Sequence, residues 1–323
     1  MRKLLVLLVA LVTVAAFASV RFSGLLDVTP RLTYVATPST SMTFSVGVSG
    51  ALSISASNKD ETTGFSVSIS PTVSGSPVTF SWTYRGHVWQ KLYTSDSFTV
   101  TLQAGNLSRG WSGASGANFS RLITRPSFTD YRDDPAVGLK FDISAGDLSD
   151  SLSVFVTPDA TKMINVDVFN SLSFGFLSTG IFVRNLLDVT SGLPAFSLSA
   201  SVDLAKALAI QGATLKAFGY FTIDPSATPT ILQGYLVGAD VGIEKLSASV
   251  AFDNNNALGI AVKTTALAPV TVGADIVIPN IMSITNFQLA GYASWRAGLI
   301  GHRLSLTWDG SQAIVAWRMR VTF

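Results

Sequence analysis

The stretch A-I-V-A-W-R-M-R-V-T-F, residues Ala313 to Phe323, carries an apolar side chain at every second position: Ala313, Val315, Trp317, Met319, Val321 and Phe323. Ile314, Ala316, Arg318, Arg320 and Thr322 lie between them. A repeat of two is the period of a β-strand, because successive side chains point to opposite faces. One face therefore holds a Trp and a closing Phe, and the other holds two arginines. A strand in a water-soluble sheet also alternates, but it rarely closes a chain on an exposed aromatic.

The other end of the chain points the same way. Arg2 and Lys3 precede an unbroken apolar and small-residue run from Leu4 to Phe17, followed by Ala16-Phe17-Ala18. A short basic region, an apolar run and an A-x-A site together make a secretory signal peptide. The run is ~14 residues, short of the ~20 that a membrane-spanning helix needs. The expected division is a signal peptide over 1–18 and one mature unit over 19–323. Losing Arg2 and Lys3 takes the formal charge from +2 to 0.

Composition narrows the class of the exported chain. Hydrophobic residues make up 48% of it and charged residues 13%, whereas soluble domains average ~25% charged. Mean hydropathy is +0.42, with no second apolar run long enough to span a membrane as a helix. Cysteine is absent, which a fold with complete backbone bonding tolerates. Near-zero charge argues against nucleic acid as a partner.

Alternation recurs through most of the chain. Met42, Phe44, Val46, Val48, Leu52, Ile54 and Ala56 share one face, opposite Thr43, Ser45, Gly47, Ser49, Ser53 and Ser55. Phe65-Val67-Ile69, Val78-Phe80-Trp82-Tyr84, Phe98-Val100-Leu102 and Val137-Leu139-Phe141-Ile143 repeat the pattern. So do Phe196 to Val202, Leu246 to Phe252, Val270 to Ile278, Phe287 to Trp295 and Ile300 to Trp308. About eighteen strands can be drawn, with sixteen as the rival count. Alternation blurs over 85–97, Leu204 to Ala209 reads as a short helical turn, and Leu172 to Leu187 is hard to divide.

Period two fits either a soluble sandwich, apolar face inward, or a membrane barrel, apolar face toward lipid. The polar faces favour the barrel, being mostly Ser, Thr and Gly. Trp82, Tyr84, Trp295, Trp308, Trp317 and Phe323 stand near strand ends, where interfacial aromatics belong. The terminal strand also resembles the last strand of bacterial outer-membrane β-barrels. In those proteins the C-terminal Phe and its alternating apolar partners are read by the barrel-assembly machinery. Trp317, Met319, Val321 and Phe323 are the residues that match, over about eleven positions. The resemblance implies an all-β, antiparallel transmembrane barrel of 16–18 strands in the bacterial outer membrane. Its partners would be lipid and the assembly machinery.

One long irregular stretch, 105–135, interrupts the strands. It gathers Arg109, Arg121, Arg125, Asp130, Arg132, Asp133 and Asp134, much of the chain's sparse charge. Parity counted back from Phe323 makes it the third external loop. In general porins, which this arrangement resembles, that loop folds into the pore and makes the constriction, and the barrels are trimers. Arg296, Arg303, Arg318 and Arg320 share the parity of the polar face and are expected to form a basic lumen wall favouring anions.

Enzyme signatures are missing: no G-x-S-x-G, H-E-x-x-H or phosphate loop occurs, and His87 and His302 are the only histidines. No cofactor or metal site is expected. The expected function is passive diffusion of ions and small polar solutes through a porin-like channel, and the resemblance implies a homotrimer. The alternative is a structural barrel tying the outer membrane to a surface layer or another envelope protein.

Overall fold

The computed structural model describes residues 19–36, 40–74, 79–107, 136–157, 165–184, 186–187, 195–224, 232–283 and 287–323. The signal peptide expected over 1–18 and the loop residues Arg109, Arg121, Arg125, Asp130, Arg132, Asp133 and Asp134 lie outside the described residues.

Eighteen strands form one sheet. They are β1 Ser19–Val35, β2 Ser41–Ser57, β3 Thr63–Ser74, β4 Thr79–Thr94, β5 Phe98–Gly105, β6 Ala136–Ala145, β7 Leu148–Thr157, β8 Asn165–Phe174 and β9 Leu177–Arg184. After these come β10 Ala195–Asp203, β11 Ala213–Ile223, β12 Leu232–Ile243, β13 Leu246–Asp253, β14 Leu258–Thr264, β15 Thr271–Ile278, β16 Gln288–Ala297, β17 Ile300–Trp308 and β18 Gln312–Thr322. Each strand runs antiparallel to its neighbours in sequence, and β1 pairs with both β2 and β18. The sheet is a closed barrel without an edge, so its backbone groups find partners without water. Eighteen, the higher of the two expected counts, is the number formed.

The segments that resisted division have local causes. In β4 the register against β5 shifts between Lys91 and Tyr93. This bulge puts one extra residue into the strand and breaks the alternation there. Between β10 and β11, α1 (Leu204–Ala207) forms the expected helical turn, capped where the Lys206 N–H donates to Asp203 Oδ1 at 3.0 Å. Between β8 and β9 the chain reverses through Gly175-Phe176, a turn with an apolar residue in it and therefore no polar break to read.

The two ends of the barrel differ. Two-residue turns at 146–147, 175–176, 244–245 and 298–299 belong to one end. Gly146 (φ 57°) and Gly298 (φ 59°) open two of them in the left-handed region that tight hairpins require. The opposite end holds the connections 106–135, 158–164, 185–194, 224–231 and 279–287. Ser19 and Phe323 both lie at the short-turn end, so odd-numbered strands run toward the long loops and even-numbered strands run back.

Parity carries from strand to strand around the barrel, apart from the register shifts at Lys91/Tyr93 and Thr222/Ile223. Phe44 (70% exposed), Phe80 (64%), Leu306 (52%) and Trp317 (42%) typify the outer face. An exposed apolar surface that encircles a protein suits hydrocarbon, since patches beyond a few hundred Å² are unstable in water. Phe323 closes the seam: its N–H donates to Gly24 O at 3.0 Å, and the Gly24 N–H donates to Phe323 O at 2.7 Å. Its ring lies so close over Gly24 that a Cβ there would come within 2.5 Å of it.

Candidate functional site: the barrel lumen

The inward face carries three distinct regions. The first is the arginine wall. Arg303 on β17 and Arg318 on β18 are directly opposite each other in the register. They share a cavity of about 320 Å³ with Arg31 of β1 and the hydroxyls of Thr29, Ser305 and Thr307. The Arg303 guanidinium lies over the Tyr292 ring, 3.7 Å from its centroid, which fixes its direction.

The expected four arginines do not act alike. Arg320 turns inward but is held by Asp27 on β1. Its Nε donates to Asp27 Oδ1 at 2.7 Å, and its Nη2 donates to the other carboxylate oxygen. This two-bond fork is the strong form of the pair, and it joins the first strand to the last. Arg296 sits at the short-turn rim, its Nε donating to Gly298 O at 3.0 Å. The wall proper is Arg31, Arg303 and Arg318. Sequence reading missed Arg31 and Asp27, although β1 places both on the Ser/Thr parity that pairs with Ser45 and Ser49.

The second region is apolar, although the inward faces read from the sequence are mostly Ser, Thr and Gly. Phe182, Phe218, Tyr220, Leu236, Ala251 and Val277 form one buried cluster with Phe169 packed on it, all on inward positions of β8–β15. The rings meet edge to face, Phe169 with Phe182 at 6.2 Å and Phe218 with Tyr220 at 5.9 Å between centroids. Phe218 lies across Gly238, where a Cβ would meet its ring at 2.6 Å. Short residues facing large ones let the inner surface pack like a core, which a count of polar residues does not reveal. Asp167, Asp253 and Asp275 are buried on the same wall.

The third region is a pair of mixed-charge cavities nearer the short-turn end. One, of about 520 Å³, is lined by Asp240, Lys263, Asp275, Tyr292 and Arg303 among others. The other, of about 490 Å³, is lined by Arg21, His87, Trp89, Lys91, Lys140 and Asp142 among others. Lys140 pairs with Asp142 at 2.8 Å.

The described stem of the long loop turns onto the inner wall. Leu107 is buried against Ala136 and the inward-facing Phe155. The Asn106 N–H donates to Gly86 O at 2.7 Å, and the Gly86 N–H donates to Asn106 Oδ1 at 3.3 Å. His302 is on the outer wall, its ring stacked on Trp295 (5.3 Å) and tilted against Trp317 (5.8 Å).

Closed 18-stranded antiparallel barrels with charged inward walls and apolar outer walls have the architecture of bacterial porins. The solved structures agree. The chain is similar to a mutant of the Rhodopseudomonas blastica porin, with 14% identity and a TM-score of 0.53 over 94% of this chain and 100% of that one. It is similar to Pseudomonas aeruginosa OpdQ, with 9% identity and a TM-score of 0.54 over 94% and 97%. It is also similar to Pseudomonas aeruginosa OpdL, with 8% identity and a TM-score of 0.55 over 95% and 98%. Identities this low carry the fold alone. No protein-family model matches the chain, and no curated protein matches it.

Proposed function

We propose that this chain is an outer-membrane channel passing ions and small polar solutes by diffusion, with the short-turn end in the periplasm. The observation that carries this reading is the width of the barrel together with its inner surface. Eighteen strands enclose more space than their own side chains fill, and the inward face keeps charged, cavity-forming walls. In this reading the segment 105–135 folds into the lumen and narrows it. Leu107, packed on the inward-facing Phe155, supports that course. Arg109, Arg121, Arg125, Asp130, Arg132, Asp133 and Asp134 then face the arginine wall across the path. Size exclusion and the transverse field select solutes, and Arg31, Arg303 and Arg318 favour anions. The reading assigns the chain no catalytic role.

Export by residues 1–18 and recognition of Trp317, Met319, Val321 and Phe323 by the assembly machinery belong to the same account. So does assembly as a homotrimer. The 17-residue strands β1 and β2 rise ~40 Å at the usual tilt, well past an apolar band of ~25 Å. Met42 and Phe44 stay 66% and 70% exposed near the long-loop end of β2, a wall suited to a neighbouring subunit. Deleting 118–132 tests the constriction: single-channel conductance rises if the segment lies in the pore and stays unchanged if it lies outside.

A further inference from the structure

One side chain breaks the outer face of the barrel. Asp150 on β7 lies opposite Ile143 of β6 and Leu172 of β8, both outward positions. Its outward neighbours along β7 are Leu148, Leu152, Val154 and Val156. Among the described residues, it is the one Asp, Glu, Lys or Arg that the strand alternation turns outward. Asn170 on β8 shares that face, and its amide donates to Asp150 Oδ1 at 2.6 Å. Thr179 of β9, opposite Leu172, extends the polar spot.

The depth of the carboxylate matters. Asp150 is two residues past Leu148, the first residue of β7. At a rise of ~3.3 Å per residue and a tilt of ~40°, it sits ~5 Å inside the strand end. Hydrocarbon gives way to headgroups near this level. A carboxylate there costs less than at the midplane, but ionisable side chains facing a bilayer are kept by pairing. One amide donor leaves most of the carboxylate's acceptor capacity open.

Among the described residues, no Lys or Arg of the barrel pairs with Asp150. Lys140, on neighbouring β6, faces the lumen and holds Asp142. A second copy of the chain presents no described strand Lys or Arg on its outer face either, so wall-to-wall contact between copies leaves the charge uncompensated. The source left at this depth is the lipid. We propose that Asp150 and Asn170 form a site for the primary ammonium of a phospholipid headgroup of the ethanolamine type. The carboxylate accepts N–H donors from the ammonium, and the Asn170 amide holds the carboxylate in place. Ile143, Leu152 and Leu172 flank it with apolar surface for an acyl chain. A choline headgroup has the charge but no N–H to donate, and a glycerol headgroup lacks the charge. The inference rests on the outer face meeting lipid, and conductance plays no part in it.

The test is retention of lipid by the folded protein. The chain is folded into vesicles of phosphatidylethanolamine with phosphatidylglycerol, or of phosphatidylcholine with phosphatidylglycerol, and then extracted. Native mass spectrometry counts the lipids that stay bound. Wild type is expected to retain the ethanolamine lipid roughly fivefold over the choline lipid, as suits a charge-assisted hydrogen bond at a wet boundary. Asp150→Asn is expected to lose that preference while keeping its strand content by circular dichroism. Equal retention of both lipids by wild type, or an undiminished preference in Asp150→Asn, overturns the proposal. So does a wild-type oligomer that Asp150→Asn dissolves, because the carboxylate then serves a protein contact. A protein that never conducts leaves the result intact.

Discussion

The seam between β1 and β18 is where the barrel closes, and the Asp27–Arg320 fork spans it. Replacing Asp27 with Asn, or Arg320 with Gln, removes one partner and leaves the other with its charge unanswered on the inner wall. Two unit charges ~4 Å apart attract by ~4 kcal/mol at an effective dielectric constant of 20. Asp27 is well shielded, its side chain 11% exposed, but the Arg320 side chain is 40% exposed, so solvent screens part of that energy. A coupling of about 1–2 kcal/mol is expected, above the usual surface pair and below a fully buried one. The double-mutant cycle isolates it. Wild type, the two single variants and the double variant are unfolded by guanidinium from lipid vesicles, with tryptophan fluorescence as the readout. The double variant should be less destabilised than the sum of the singles by the coupling energy. Additivity within about 0.3 kcal/mol would show that the fork contributes nothing, and the view of it as the clasp of the barrel fails.

Three further outcomes follow from the same geometry. Gly24→Val places side-chain atoms where the Phe323 ring lies; it should slow assembly into vesicles about as much as Phe323→Ala does, and a normal rate would show that the ring contact is dispensable. Arg303→Gln with Arg318→Gln removes two charges from one cavity and should shift the reversal potential in a salt gradient toward cations, whereas an unmoved potential would exclude the arginine wall from the path. Asp309 caps the turn from β17 to β18. Burial raises its pKa, but N–H donors of Ser311 and Gln312 and their side chains outweigh this and hold it at about 2. A carboxylate depressed in the folded state adds stability above its unfolded pKa of ~3.9 and loses it as pH falls toward 2. Wild type should therefore exceed Asp309→Ala in denaturation midpoint at pH 6, with the gap closing between pH 4 and pH 2; a gap that is constant with pH would rule out the ionised cap.

Much of the barrel was legible in the sequence because lipid and water impose a strict period of two. Met42 to Ala56 and Ala313 to Phe323 could be read strand by strand for that reason. The Lys91/Tyr93 bulge hid part of β4, since one extra residue exchanges the faces. The turn at Gly175-Phe176 hid because its second residue is as apolar as the strands beside it. The inner surface was less legible. Arg303 and Arg318 announced themselves by parity, but Arg320 looked identical to them, and only the partner strand shows that Asp27 neutralises it. Pairing across the seam joins residues 293 positions apart, beyond the reach of any local pattern. The buried aromatics Phe182, Phe218 and Tyr220 sit among serines and glycines that pointed to a wet lumen. Their role depends on which residues of neighbouring strands are small, as Gly238 is beneath Phe218.

The central claim is that water and ions cross the barrel. Reconstituting the purified chain into a planar lipid bilayer and recording current at fixed voltage tests it most directly. The account expects stepwise increments of conductance as single molecules insert, each persisting at low voltage. A bilayer that stays sealed at all voltages, with insertion of the folded protein verified, would contradict it and leave a barrel whose lumen is closed.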